Sequence, residues 1–150
     1  MPSVIGFLNS SGRPAIKIEI SGAWPQTKKE IEAVIDTGFS GFLSIPLMQA
    51  FPLALPLVGT TNVELADGVT HAKFTGISTI WLGAELQVGI AILEPSSSDV
   101  LLGMEFLKTF KKVLILLDTL VVLLDESEVK EVLAKVFKAA QEAAGPPSPA

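Results

Sequence analysis

The stretch whose residue types and order point to chemistry is Ala33-Val34-Ile35-Asp36-Thr37-Gly38-Phe39-Ser40-Gly41. Apolar residues lead into an acid, and small or flexible residues follow it. This pattern holds a carboxylate at the mouth of a strand-to-loop turn. Gly38 is expected to let the backbone turn back so that amides approach the carboxylate, and amide donors favour its ionised form. One carboxylate alone does little acid–base work. Two carboxylates a few ångströms apart cannot both ionise, so they share a proton. One then acts as base toward a water and the other as acid toward a carbonyl. Such a pair titrates as a unit. The chain holds a single Asp-Thr-Gly, since Asp118-Thr119 is followed by Leu120. The second carboxylate must then come from another chain, most simply across a two-fold axis.

The elements that must position Asp36 read as mostly β. Val4–Leu8 and Ala15–Ile20 are strand-like, with turn chemistry at Asn9-Ser10-Ser11-Gly12 between them. Pro14 suits the start of a strand, where its missing N–H does least harm. Ile31–Ile35 is the strand that runs into Asp36, Leu43–Ile45 is another, and Pro46 fits the first position of a brief helix to Ala50. Thr60–Leu65 and Val69–Trp81 flank Ala66-Asp67-Gly68, and Asp-Gly between β-type runs is a strong hairpin signal. Leu86–Leu93 follows a turn at Leu82-Gly83-Ala84. Glu94–Asp99 is a loop, Leu102–Phe110 reads as a helix, and Val113–Leu117 pairs with Leu120–Leu124 around Asp118-Thr119. Val129, Val132, Leu133, Val136, Phe137 and Ala140 mark one face of an amphipathic helix. Asp125 is its expected N-cap with Glu128 as capping-box partner, and Gly145 its stop.

Composition narrows the function classes. The chain has 150 residues and no cysteine, which excludes a disulfide scaffold and a Cys-ligated zinc site. It is long enough to bury a core without such staples. Net charge is -5, and no Lys/Arg cluster exceeds Lys28-Lys29 and Lys111-Lys112, so no nucleic-acid partner is expected. Met1 to Ser11 lacks the features of a signal peptide. The longest apolar region, Val113 to Leu124, is interrupted by Asp118 and too short to span a bilayer as a helix. A cytoplasmic protein with no membrane partner is the expectation.

In three stretches the chain resembles the retropepsin-like aspartic proteases, and most of all their small bacterial members. "AVIDTGFSGFLSIP" (Ala33–Pro46) resembles the active-site strand, turn and helix start. "LADGV" (Leu65–Val69) lies at the position of the flap hairpin. "DVLLGMEFL" (Asp99–Leu107) resembles the apolar-apolar-Gly segment and helix beside the active-site loop. The early "GRPAI" (Gly12–Ile16) fits as well. A bare Asp-Thr-Gly arises by chance in roughly a few per cent of chains this long, so the combination carries the specificity. The resemblance runs over about Val4–Leu124.

The resemblance implies a mostly β, single-domain closed barrel over residues 1–125 with a flap hairpin and a short helix after Leu-Leu-Gly. An added amphipathic helix over 126–144 and a disordered tail over 145–150 complete the expected organisation. It further implies a homodimeric aspartic endopeptidase acting on peptide or unfolded protein, with no cofactor and no metal; the proton-sharing pair described above is the standing example from such enzymes. Asp36 would be the catalytic carboxylate. Thr37 would brace the two loops across the dimer, and Gly38 would bring amides to the carboxylate. Ser40, Leu102 and Gly103, with Leu101, would support the site. Ala66, Asp67, Gly68 and Val69 would form the flap over the substrate. Phe39 departs from the pattern: retroviral enzymes have a small residue there, and a Phe cannot hydrogen-bond the aspartate. The chain also has no Tyr, hence no flap tyrosine. These departures keep a second reading open, a dimeric peptide-binding or assembly module with weak or absent catalysis.

Other residues admit plainer readings. Asp36 in isolation is good turn chemistry, and its context sets it apart. His71 is the only histidine and makes neither a triad nor a His-based metal site. Gly103 fits a packing glycine and Ser96–Ser98 loop filler. The stripe from Val129 to Ala140 is expected to pack on the core, with partner binding as the second reading. The apolar run Val113–Leu124 suggests a hairpin covered on both faces, by core or by a dimer partner.

Overall fold

The computed structural model describes residues 3–96 and 99–146. Ser97, Ser98 and the expected tail residues 147–150 lie outside the described residues. Ten strands form one sheet: β1 (Val4–Leu8), β2 (Pro14–Ser21), β3 (Lys29–Ile35), β4 (Leu43–Pro46), β5 (Leu57–Glu64), β6 (Thr70–Leu82), β7 (Glu85–Glu94), β8 (Leu101–Leu102), β9 (Lys112–Leu117) and β10 (Leu120–Asp125). Three helices join them: α1 (Leu47–Ala50), α2 (Met104–Thr109) and α3 (Glu126–Ala144).

The sheet order is β5-β6-β7-β4-β8-β3-β2-β1-β10-β9, with a further β6–β2 pairing. That pairing closes β2, β3, β8, β4, β7 and β6 into a ring, the closed barrel that the resemblance implies. The closure runs through Glu19↔Trp81, Ile20↔Ile80 and Ser21↔Thr79. Strand β3 lies inside the ring, between β2 (antiparallel) and β8 (parallel). This explains why Ala33, Val34 and Ile35 form an unbroken apolar run: all three are buried. The core holds Ile16, Ile18, Ile20, Phe42, Leu43, Ile45, Ile80, Leu102 and Phe106. Phe106 is stacked at a tilt between Phe42 and Phe110, with ring centroids 6.1 and 4.9 Å away.

Several expectations need correction. The helix expected over Leu102–Phe110 is shorter. Leu102 belongs to β8, because its backbone is taken by β3 on one side and β4 on the other, and Gly103 caps α2. Pro46 ends β4 and caps α1 instead of opening the helix. Helix α3 has the expected span, and Gly145 ends it at φ 69°. Its capping box does not form: Asp125 makes no side-chain cap bond. Its carboxylate instead meets Lys112, whose side chain is 2% exposed and also donates to Glu85 at 3.1 Å. A buried ammonium outbids an exposed amide for the acid. Burial opposes charge on Lys112, yet the bonds from Asp125 and Glu85 prevail and its pKa is raised. The hydrogen bond from Lys112 lowers that of Asp125.

The apolar face of α3 is not packed on the core. No residue of the helix is buried, and Val132, Leu133, Val136 and Phe137 are all exposed. Nor is the β9–β10 hairpin covered on both faces within the protomer. Val121 and Leu123 are buried, whereas Leu116, Leu117 and Leu120 are exposed. No helix of the described residues is long and apolar enough to cross a membrane.

Candidate active site

Asp36 follows the last residue of β3, and its own amide donates to the carbonyl of Leu102 at 2.9 Å. The barrel ladder therefore fixes the residue that carries the carboxylate. The loop after it is tied down by Phe39 N–H donating to Asp36 O (3.1 Å) and Met104 N–H donating to Phe39 O (2.8 Å). The Asp36 side chain is 34% exposed, so it reaches solvent while its backbone is held. Gly38 N–H donates to Asp36 Oδ1 at 2.9 Å.

The reason for glycine at 38 is space, not conformation. Its φ is not among the positive ones, but a Cβ there would sit 3.1 Å from Asp36 Oδ1. Gly103 is tighter still: a Cβ would lie 2.2 Å from Gly41 O and 2.4 Å from Phe39 O. Phe39 itself lies over two glycines. A Cβ on Gly41 would meet its ring at 2.5 Å, and one on Gly103 at 2.7 Å. The departure at Phe39 is thus matched by glycines on the two backbone segments it covers, a pairing invisible until the loop is folded.

The sequence reading missed Arg13 as a site residue. Its Nη2 lies 3.6 Å from Asp36 Oδ2, and its Nη1 donates to Asp99 Oδ2 at 3.0 Å. Arg13 stands just before β2, beyond a turn in which Asn9 Oδ1 accepts from the amides of Ser11 and Arg13. A signal was available: Arg13 is the only arginine in a chain with 11 basic residues. A planar fork that can serve two carboxylates at once is what distinguishes Arg from Lys.

A groove of about 420 Å³ opens beside this loop. Gly38, Phe39, Ser40 and Gly41 form one side, and Thr61 to Glu64 of β5 the other, with Thr75, Ile90, Ile92 and Glu105 completing it. Ser40 belongs to the loop carrying Asp36, and Leu102–Gly103 adjoin that loop without lining the groove. Thr37 is exposed and makes no side-chain bond among the described residues. The residues expected at the flap lie at the tip of the β5–β6 hairpin. Gly68 N–H donates to Leu65 O, Leu65 N–H to Val69 O, and Val69 N–H to Asp67 Oδ1 at 2.8 Å. Gly68 has φ 78°, which glycine adopts without strain. In one protomer this tip does not line the groove; the shaft of the hairpin does. His71 is exposed on β6, away from these residues in the groove lining. No cluster of three metal-ligating side chains occurs among the described residues.

No protein-family model matches the chain, and no curated protein matches it. Solved structures do. A retropepsin-like aspartic protease from Rickettsia conorii superposes with TM-score 0.61 at 19% identity, over 81% of this chain and 89% of that one. EIAV protease complexed with the inhibitor HBY-793 superposes with TM-score 0.57 at 16% identity, over 72% of this chain and 97% of that one.

Proposed function

We propose that this chain, which has the retropepsin-like fold, is one half of an aspartic endopeptidase completed by a second identical chain. The observation that carries the reading is Asp36 itself: a solvent-reaching carboxylate on a backbone held by the barrel, at the edge of a groove, and present once per chain. In the dimer the two Asp36 carboxylates share one proton. The ionised one takes a proton from a water as its oxygen attacks the scissile carbonyl; the protonated one gives its proton to the carbonyl oxygen. Breakdown of the tetrahedral species returns a proton to the leaving amine. Thr37, exposed and without a side-chain bond among the described residues, bonds across the two-fold axis. The hairpin carrying Ala66–Val69 closes over an extended peptide whose side chains enter the groove.

Support for a second reading, a dimeric peptide-binding module with weak catalysis, comes from Arg13. The guanidinium already engages Asp36 and Asp99 within one protomer. A single experiment separates the two: offer unfolded protein and peptide libraries between pH 3 and 7 to the wild type and to Asp36→Asn. The protease reading expects cleavage abolished by the substitution, because half a dyad does no acid–base work. Cleavage that survives it removes Asp36 from the mechanism. Peptide capture by a dimer that never cleaves establishes the binding module instead.

A further inference from the structure

The groove beside Asp36 has a chemistry that its position alone does not require. Its walls include Phe39, Ile90 and Ile92, which suit an aliphatic stem. Two carboxylates, Glu64 on β5 and Glu105 on α2, face it from different elements, and neither has an ion-pair or hydrogen-bond partner among the described residues for its side chain. No basic residue lines the groove. Thr75 also lines it; this residue is only 6% exposed, and its hydroxyl has no hydrogen-bond partner among the described residues. It is not sealed off from the groove, since no buried side-chain oxygen is left without a partner. A hydroxyl in that state can accept a bond from a group that enters the groove. By contrast, Lys73 and Glu94 nearby on β6 and β7 satisfy each other at 2.5 Å.

From these observations, and resting on the protease reading above, we infer that this groove is a specificity pocket for a lysine or arginine side chain of the substrate peptide. The stem lies against Phe39, Ile90 and Ile92. The cationic head takes acceptors from Glu64, Glu105 and the Thr75 hydroxyl. Phe39 can add the face of its ring to the cation. A neutral apolar side chain of the same length would fill the walls but leave the acceptors unused. An acidic one would meet two like charges.

The test uses the full chain and one set of peptides, identical except for lysine, arginine, norleucine or glutamate at a single scanned position. Binding is measured on Asp36→Asn by fluorescence polarisation, and cleavage on the wild type. At one position lysine and arginine are expected to bind about tenfold or more tightly than norleucine, with the preference shrinking as salt is raised. Glu64→Gln with Glu105→Gln should erase it, and Thr75→Val should reduce it several-fold. Glu64→Lys with Glu105→Lys should turn the preference toward glutamate. Both glutamates are exposed, so the fold survives these changes. Equal binding of lysine and norleucine peptides at every position overturns the pocket, as does a basic preference indifferent to the Glu→Gln pair. Binding selectivity without any cleavage would leave the pocket standing and sink the protease, so the two failures are distinguishable.

Discussion

Helices α2 and α3 each carry a phenylalanine on an apolar face, and the surroundings of the two rings are opposite. Phe106 is fully buried between Phe42 and Phe110, on a helix of six residues. Phe137 is 64% exposed, on a helix of 19 residues with no buried side chain. A helix as short as α2 does not persist alone and exists because the barrel covers it. Helix α3 is long, carries i,i+4 pairs such as Glu126–Lys130 at 2.8 Å, and stands on its own charges. The pattern of a sequence thus tells which face of a helix is apolar. It does not tell what lies opposite.

The largest effect expected is on the covered side. Phe106→Ala should destabilise the protein by about 3–5 kcal/mol, measured by denaturant unfolding. A loss below about 1 kcal/mol would mean that α2 is not the keystone of this core. Next is Gly103→Ala. Its Cβ would meet two backbone carbonyls, Gly41 O and Phe39 O, neither of which can rotate away. The cost in stability is about 1–3 kcal/mol, as for other overpacked sites. Because the shift falls on the loop carrying Asp36, cleavage should drop about a hundredfold. Activity unchanged in the presence of the stability loss would uncouple the loop from the chemistry.

Much of the covered side was legible in the sequence. Most strands and turns follow from strand-type residue runs and from Gly and Asn chemistry, and the hairpin turn after β5 from Asp67-Gly68. The strand entering Asp36 is read from Ile31–Ile35, whereas its place inside the ring is not, and the same kind of apolar run at Val113–Leu124 is left partly exposed. What could not be read were relations between distant segments. The contact of Arg13 with Asp36 joins the start of β2 to the end of β3. The stacking of Phe39 on Gly41 and Gly103 joins the loop to β8 and α2. The capping box at Asp125 was misread for the same reason: Lys112 lies 13 residues away and is the stronger donor. Local rules rank local partners only.

Lys112 marks the junction between the two regions. Lys112→Met removes the buried ammonium that Asp125 and Glu85 share, and taking one partner out of a buried cluster destabilises it. The sign of the pH dependence follows from the shifts. Asp125 is lowered below its ordinary 3.8, so its contribution is present above that value and is lost as pH falls through the lowered one. Lys112 is raised above 10.5, so its contribution is complete below that value and is lost as pH rises through the raised one. The stability gap between wild type and Lys112→Met should be constant between those two ordinary values and narrow outside them. A gap that keeps its size well below pH 3.8 would exclude Asp125 as the partner that matters. Arg13→Ala is smaller. Its two contacts are exposed, and pairs of that kind are worth about 0.2–1 kcal/mol, so a thermal scan should barely move.

The smallest effect on the protomer is expected at Phe137, and it is the sharpest test of the comparison. At a dilution where the protein sediments as a single chain, Phe137→Ala should change unfolding free energy by no more than about 0.5 kcal/mol, since the ring is mostly exposed and alanine is the better helix former. Phe106 and Phe137 would then differ by most of the energy a buried ring supplies, with the residue type held constant. If Phe137→Ala instead costs as much as a core substitution under those conditions, α3 folds back onto its own protomer in solution. The contrast between the two helices would then vanish.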